Sequence, residues 1–191
     1  MGYEEKILFG LDNIRVCKMS NDSIPIKILG AISVEVEVKQ QYKYLYVRGR
    51  KRVKINGAIE CTGKLRLLGL TSLEQNLIFG HIESEGVAVG ENSNSPNLRL
   101  LFSREKANGH KIFYCIYNVV FDLSSIDANT TKETMSEDVV EINFEGLKDD
   151  NTNLTYYSID TETCDKNVID NWFKKIQYPK EVKRWMEIKW K

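Results

Sequence analysis

Apolar and polar residues alternate along much of this chain, and a period of two residues predicts half-buried β-strands. Residues 32–39 follow this pattern, and residues 58–67 and 140–145 repeat it. Further apolar runs at 97–103 and 154–159 predict additional strands. Most of the chain is therefore predicted to be β-structure.

Residues 111–123 differ from the other predicted strands because they are apolar on both faces. Strict alternation places Ile116 on one face and Tyr117, Val119 and Phe121 on the other. A strand of this kind is covered on both sides, by another sheet, a helix or a neighbouring subunit.

One short helix is predicted in the middle of the chain. Thr71 and Glu74 form the spacing of a capping box, in which each side chain satisfies a backbone donor. An apolar stripe is formed by Leu73, Leu77 and Ile78, and Gly80 supplies a left-handed stop.

A second helix is predicted from residue 168 to 176, ending before Pro179. The expected fold is mainly β, with two packed antiparallel sheets, the short internal helix and this C-terminal helix. We expect one domain over residues 1–178, followed by a basic, Trp-containing tail at 179–191.

The charge pattern adds one prominent feature, a cationic arm at residues 39–58. It has no acid and contains seven bases: Lys39, Lys43, Arg48, Arg50, Lys51, Arg52 and Lys54. Three tyrosines, at 42, 44 and 46, are interleaved with these bases. Because strands flank the arm on both sides, we expect the projecting end of a long antiparallel hairpin. Asn56-Gly57 within it indicates a turn or a bulge.

The chain as a whole has 27 basic and 27 acidic residues, so the arm must be balanced elsewhere. Residues 122–162 hold eleven acids and two bases. Three interpretations stay open. The arm is an ordinary solvated hairpin, or it binds nucleic acid, or it binds the acidic part of another copy. Self-association explains both halves of the charge pattern, whereas a polyanion would meet the repulsion of the acidic part.

Catalytic and metal-binding patterns are missing from the sequence. His81 and His110 have no partner motif, and the four cysteines form no C-x-x-C pair. Glu35 and Glu37 are interpreted as solvated charge on a strand. We expect a non-enzymatic, intracellularly made protein with no catalytic residue, cofactor, metal site or membrane partner.

The order of these elements resembles that of the major tail proteins of long-tailed phages and related phage-tail-like particles. The resemblance covers residues 6–160, and Leu29 stands where the family has proline. The segments that carry it are ILFGLDNI (7–14), ILGAISVEV (28–36), GKLRLLGL (63–70) with the capped helix, NLRLLF (97–102), IFYCIYNV (112–119), TTKET (130–134) and VVEINF (139–144).

The resemblance implies a structural subunit of a tail tube. Six copies would form a ring, and stacked rings would enclose a channel through which DNA passes as transient cargo. Other tail proteins would be partners at the tube ends. The expected location is the virion tail, after synthesis in the host bacterial cytoplasm.

In such a tube the arm would contact neighbouring subunits, and an acidic surface would receive it or line the channel. The expected arm contacts are Lys43, Tyr44, Tyr46, Arg48, Arg50, Lys51 and Arg52. The expected acidic residues are Glu133, Glu137, Asp138, Glu141, Glu145, Asp149 and Asp150. The alternative function is a nucleic-acid-binding β-barrel protein that uses the basic Tyr/Arg hairpin.

Overall fold

The structure is a computed structural model, and it describes residues 3–20, 23–83, 87–90, 94–123 and 139–179. Apart from Pro179, the predicted tail lies outside these residues. All structural statements below refer to the described part of the chain.

Antiparallel strands make up most of the described chain, which confirms the mainly β fold class. A 3-10 turn at Tyr3–Glu5 precedes the first strand. The elements are β1 (Leu8–Lys18), β2 (Ile26–Lys27), β3 (Ala31–Val47), β4 (Arg50–Leu67), α1 (Ser72–Phe79), β5 (Ile82–Glu83), β6 (Val87–Ala88), β7 (Leu98–Lys106), β8 (Lys111–Phe121), β9 (Val140–Leu147), β10 (Tyr156–Asp160) and α2 (Lys166–Asn171).

Eight of these strands form one sheet in the order β2-β1-β7-β8-β9-β4-β3, with β10 paired to β8 beside β9. β5 and β6 form a separate small hairpin. Ile14 of β1 and Val34 of β3 pack against the same hydrophobic cluster, although their strands lie near opposite ends of the sheet. The sheet therefore curls, and its two packed layers belong to one continuous sheet.

Helix α1 covers the inner core, and its termini have the predicted caps. The Thr71 N–H donates to Glu74 Oε2 at 2.8 Å, and the Glu74 N–H donates to Thr71 Oγ1 at 3.3 Å. Gly80 ends the helix with φ 65°. Leu77 and Ile78 of the predicted apolar stripe are buried, which confirms this part of the stripe. Leu73 is 68% exposed, so its place in the stripe was wrong.

The outer face of the sheet carries a second hydrophobic cluster, which confirms that β8 is covered on both faces. Helix α2 ends at Asn171, earlier than predicted, and the following residues pack on the sheet, first as turns and then as irregular chain. Their carbonyls accept hydrogen bonds from strand side chains. Arg15 donates to Phe173 O at 3.2 Å, and Tyr117 donates to Gln177 O at 2.7 Å.

A bulge in β8 changes which residues share a face. Leu98 is opposite Val119 and Leu100 is opposite Ile116, so β8 has one residue more than β7 between these pairs. Val119 and Phe121 consequently join Ile116 in the inner cluster, while Tyr117 faces the outer one. Strict alternation had placed them on the Tyr117 face, and this prediction was wrong because a bulge interrupts the period.

One end of the sheet is held by a small network of ion pairs. Lys106 is 3% exposed, and its Nζ lies 2.7 Å from both Asp160 Oδ2 and Glu162 Oε2. The hydrogen bond from Lys106 lowers the pKa of Glu162 below its ordinary value, and Asn108 adds to this. Burial raises the pKa of Asp160, but the bonds from Lys106 and the Glu162 backbone outweigh it, so this pKa is also lowered.

We predict that this network makes the protein less stable in acid. A carboxylate whose pKa is lowered by folding contributes stability above its unfolded pKa, near pH 4, and loses that contribution as the pH falls toward the folded pKa. In Lys106→Met both carboxylates lose their partner. The free energy of unfolding, measured with urea between pH 2 and 7, should be lower at pH 7 and should change less below pH 4 than in the wild type. Exposed Lys166→Met is the control, and equal slopes in all three proteins would contradict the prediction.

Candidate functional site

The predicted cationic arm is the outer part of the ribbon formed by β3 and β4. β4 pairs with β9 only from Cys61 to Leu67, and β3 pairs with β4 alone. The ribbon therefore continues past residues 40 and 59 with two strands, and no described strand pairs with it there. This confirms the long antiparallel hairpin.

The ribbon turns at Arg48 and Gly49, which have φ values of 51° and 73°. Two positive φ values in a two-residue loop are typical of the type I′ hairpin turn. The Asn56-Gly57 signal falls at a bulge: Gln40 is opposite Ile59 and Tyr42 is opposite Asn56, so Gly57 and Ala58 together oppose Gln41.

One face of the arm joins tyrosines and lysines. Lys51 Nζ lies 4.3 Å from the centre of the Tyr44 ring, and Lys54 Nζ lies 4.4 Å from that of Tyr42. The two rings meet edge to face at 5.4 Å. Exposed cation–π contacts contribute about 0.5–1 kcal/mol each, so this face stiffens the ribbon.

The opposite face of the arm carries exposed aliphatic side chains. Leu45 is opposite Val53, and Ile55 is opposite Lys43 on the same face. Leu45, Val53 and Ile55 are each about half exposed. A two-stranded ribbon is only marginally stable in water by itself. Apolar area of this kind is typical of a surface that another molecule covers.

The structure brings all the predicted arm residues together. Tyr44, Tyr46 and Lys51 lie on the tyrosine face, and Lys43 and Arg50 lie on the aliphatic face. Arg48 is in the turn, and Arg52 is the extra residue of a second bulge. Among the described residues, no carboxylate forms an ion pair with the bases from Lys43 to Lys54; Lys39, at the base of the arm, pairs with Glu37 at 2.8 Å.

The predicted acidic residues are less well grouped. Glu141 and Glu145 are exposed on β9, and Asp150 is exposed in the turn that follows. Glu141 already pairs with Lys64 at 2.6 Å, which lowers its pKa through the hydrogen bond and the charge. Glu133, Glu137 and Asp138 lie outside the described residues.

Asp149 is fully buried, so its prediction as part of an acidic surface was wrong. Its Oδ2 accepts hydrogen bonds from the backbone N–H and the hydroxyl of Thr152, at 3.0 and 2.7 Å. The carboxylate holds the turn between β9 and β10 and faces inward for that reason.

Sequence reasoning missed a groove on the outer surface at the base of the arm, which we call the acidic groove. Its volume is about 620 Å³. Four exposed carboxylates line it, together with Lys64; they are those of Glu35, Glu37, Asp122 and Glu145. The period-two pattern of β3 placed Glu35 and Glu37 on one face, but only the pairing of β4 with β9 brings Glu145 beside them.

The described side chains form no evident catalytic or metal-binding arrangement. His81 is buried against Phe79, with ring centres 5.2 Å apart, and neither of its nitrogens has a hydrogen-bond partner. Within the described ranges, no three His, Cys, Asp or Glu side chains are placed to hold a metal ion. Burial raises the pKa of Cys17 to about 11 and also raises that of Cys115, so both thiols are poor nucleophiles.

A second groove of about 620 Å³ lies between β3 and the inner face of β7 and β8. Val36, Phe102 and Tyr114 give it a mainly apolar lining, and Arg104 is its one charged lining residue. This groove is the gap that the curled sheet leaves between β3 and the strands that face it.

Comparisons with known proteins add no family: no family model matches the chain, and no curated protein matches it. A search of the described residues finds no helix long and apolar enough to cross a membrane. The candidate site therefore rests on the geometry of the arm and the groove.

Gly63 provides a stability test at the base of the arm. A Cβ at this position would collide with the Glu35 carbonyl oxygen and with the Phe144 ring. We predict that Gly63→Ala lowers the free energy of unfolding by about 1–3 kcal/mol, because a packed strand must shift to admit the methyl group. Urea unfolding measures the change. Gly69→Ala, where a Cβ meets open space, is the control, and equal stability of the two variants would contradict the prediction.

Proposed function

We propose that this protein is a structural subunit that assembles with copies of itself, as the tail tube protein of a phage or of a related phage-tail-like particle. Stacked hexameric rings around a channel for DNA are the assembly we infer. The observation that carries the proposal is the arm, a ribbon of 20 residues with an exposed aliphatic face, whose bases from Lys43 to Lys54 form no ion pair with a described residue. The order of elements resembles that of the tail proteins, and this resemblance is the reason for proposing this particular assembly.

The free edge of β3 supports self-assembly as well. β3 is a 17-residue strand at the end of the sheet, with β4 on one side and no strand on the other among the described residues. A long exposed edge favours pairing with another chain. Closing a ring through such edges would satisfy their backbone groups and remove the exposed pairing surface.

Nucleic-acid binding is the second candidate, because exposed tyrosines and bases share one face of the arm. Rings of this kind stack on bases, and the lysines would contact phosphates. Against it, Lys51 and Lys54 already lie over the two rings, and the acidic groove at the base of the arm would repel a polyanion. A salt-dependent gel shift with single-stranded DNA at physiological salt would favour this candidate.

Electron microscopy of the purified protein tests the proposal directly. Rings or tubes about 10 nm wide, the scale of six domains of this size, are expected as the concentration rises. Particles that remain monomeric at every concentration reached would overturn the proposal.

We predict that the triple variant Arg50→Glu, Lys51→Glu, Arg52→Glu keeps the fold and loses assembly. The reversed charges are exposed and far from the core, so the thermal midpoint should stay close to that of the wild type. The assembled fraction, measured by sedimentation in physiological salt, should fall at least tenfold. Lys166→Glu, Lys174→Glu, Lys175→Glu makes the same change of charge outside the arm and should assemble normally. Normal tubes from the arm variant would show that its charges do not mediate docking.

A further inference from the structure

We propose that the acidic groove of one copy receives the cationic turn of another copy's arm. This inference rests on the proposed self-assembly and identifies the surface that the arm binds. The two partners are the groove lined by Glu35, Glu37, Asp122 and Glu145, and the turn that carries Arg48, Arg50, Lys51 and Arg52.

The groove gathers like charges that its own chain does not balance. Glu37 on β3 and Glu145 on β9 flank Thr62 of the intervening strand β4, and Glu35 is opposite Lys64. Like charges gathered on one face of a sheet repel one another. Lys64 reduces the repulsion between these carboxylates only slightly, because its Nζ is held by Glu141 at 2.6 Å. Glu37 pairs with Lys39 in a contact that is more than half exposed and therefore weak.

The turn presents the complementary arrangement. Its bases are exposed, and none forms an ion pair within the described part of the chain. Guanidinium groups bind carboxylates through two parallel hydrogen bonds, and three of the four bases are arginines. The charges of turn and groove therefore fit each other in both sign and number.

The arm cannot reach the groove of its own chain. Glu37 and Val47 are ten residues apart on one continuous strand, a separation of about 33 Å at the usual rise per residue. The paired strands keep the turn at that distance from the groove. The occupant must be a different molecule, and a second copy already carries the required cationic turn.

Each copy therefore contributes one turn and one groove, and the contact is of the heterologous, head-to-tail type. Such contacts close into rings or continue into open assemblies. The attraction between opposite charges also speeds the encounter and fixes the register between copies.

A charge-swap experiment tests the pairing. The arm-reversed protein is Arg50→Glu, Lys51→Glu, Arg52→Glu, and the groove-reversed protein is Glu35→Lys, Glu37→Lys, Glu145→Lys. Each alone should associate at least tenfold more weakly than the wild type in analytical sedimentation. A one-to-one mixture should recover most of the association, since reversed arms fit reversed grooves and the unchanged arms fit the unchanged grooves. Added salt at 0.5 M should weaken the wild type and the mixture alike.

The control is Glu4→Lys, Glu5→Lys, Asp170→Lys, which changes the charge equally at acids that are not buried and lie outside the groove, and it should associate normally. Circular dichroism and thermal midpoints establish that every variant is folded. If the groove-reversed protein is unfolded, Glu35→Gln, Glu37→Gln, Glu145→Gln replaces it, with a smaller expected loss of association.

The outcomes separate the two proposals. If reversal of the arm abolishes assembly while reversal or neutralisation of the groove does not, self-assembly stands and the groove is not the receptor. A folded pair of variants that fails to recover association on mixing also overturns the pairing. A wild-type protein that never self-associates overturns the proposed function, and the groove inference with it.

Discussion

The pairing of β4 with β9 ends at Cys61, and much of the molecule depends on where it ends. Inside this point the backbone of β4 has a partner on each side, and Cys61, Leu65 and Leu67 belong to the core. Outside it, β3 is the only partner among the described strands, and side chains on both faces of the ribbon are exposed. The same boundary places the acidic groove, because Glu145 can lie beside Glu37 only where β9 still pairs with β4. The ribbon is thus one continuous hairpin. Its β4 strand is partly buried at the base and exposed toward the turn.

Two glycines allow the strands to pack closely at this boundary. Gly63 leaves room for the Phe144 ring, and a Cβ at Gly146 would lie 2.7 Å from Cys61 Sγ. Beyond them the turn held by Asp149 directs the chain toward β10, so β9 does not follow the ribbon outward. The close packing of β4 and β9 therefore sets the point beyond which the hairpin is a two-stranded ribbon.

Local patterns predicted the strands, the hairpin and the capped helix, because alternation and capping depend on neighbouring residues. The features that were missed depend on contacts between distant parts of the chain. Nothing in the sequence around Asp149 shows that its side chain turns inward to bind Thr152. The exchange of faces at Val119 follows from a bulge opposite β7, which strict alternation does not reveal. Glu35 joins the candidate site only through the sheet order.

The base of the ribbon is acidic and its end is cationic. An assembly formed through these two surfaces therefore has a direction. In a head-to-tail assembly every contact uses one end of each kind, so an open polymer finishes with bare cationic turns on one side and vacant acidic grooves on the other. Its termini are then chemically unlike, and a molecule that stops growth at one of them will not fit the other. A chain with equal numbers of acids and bases can in this way form a polymer with a positive and a negative extremity.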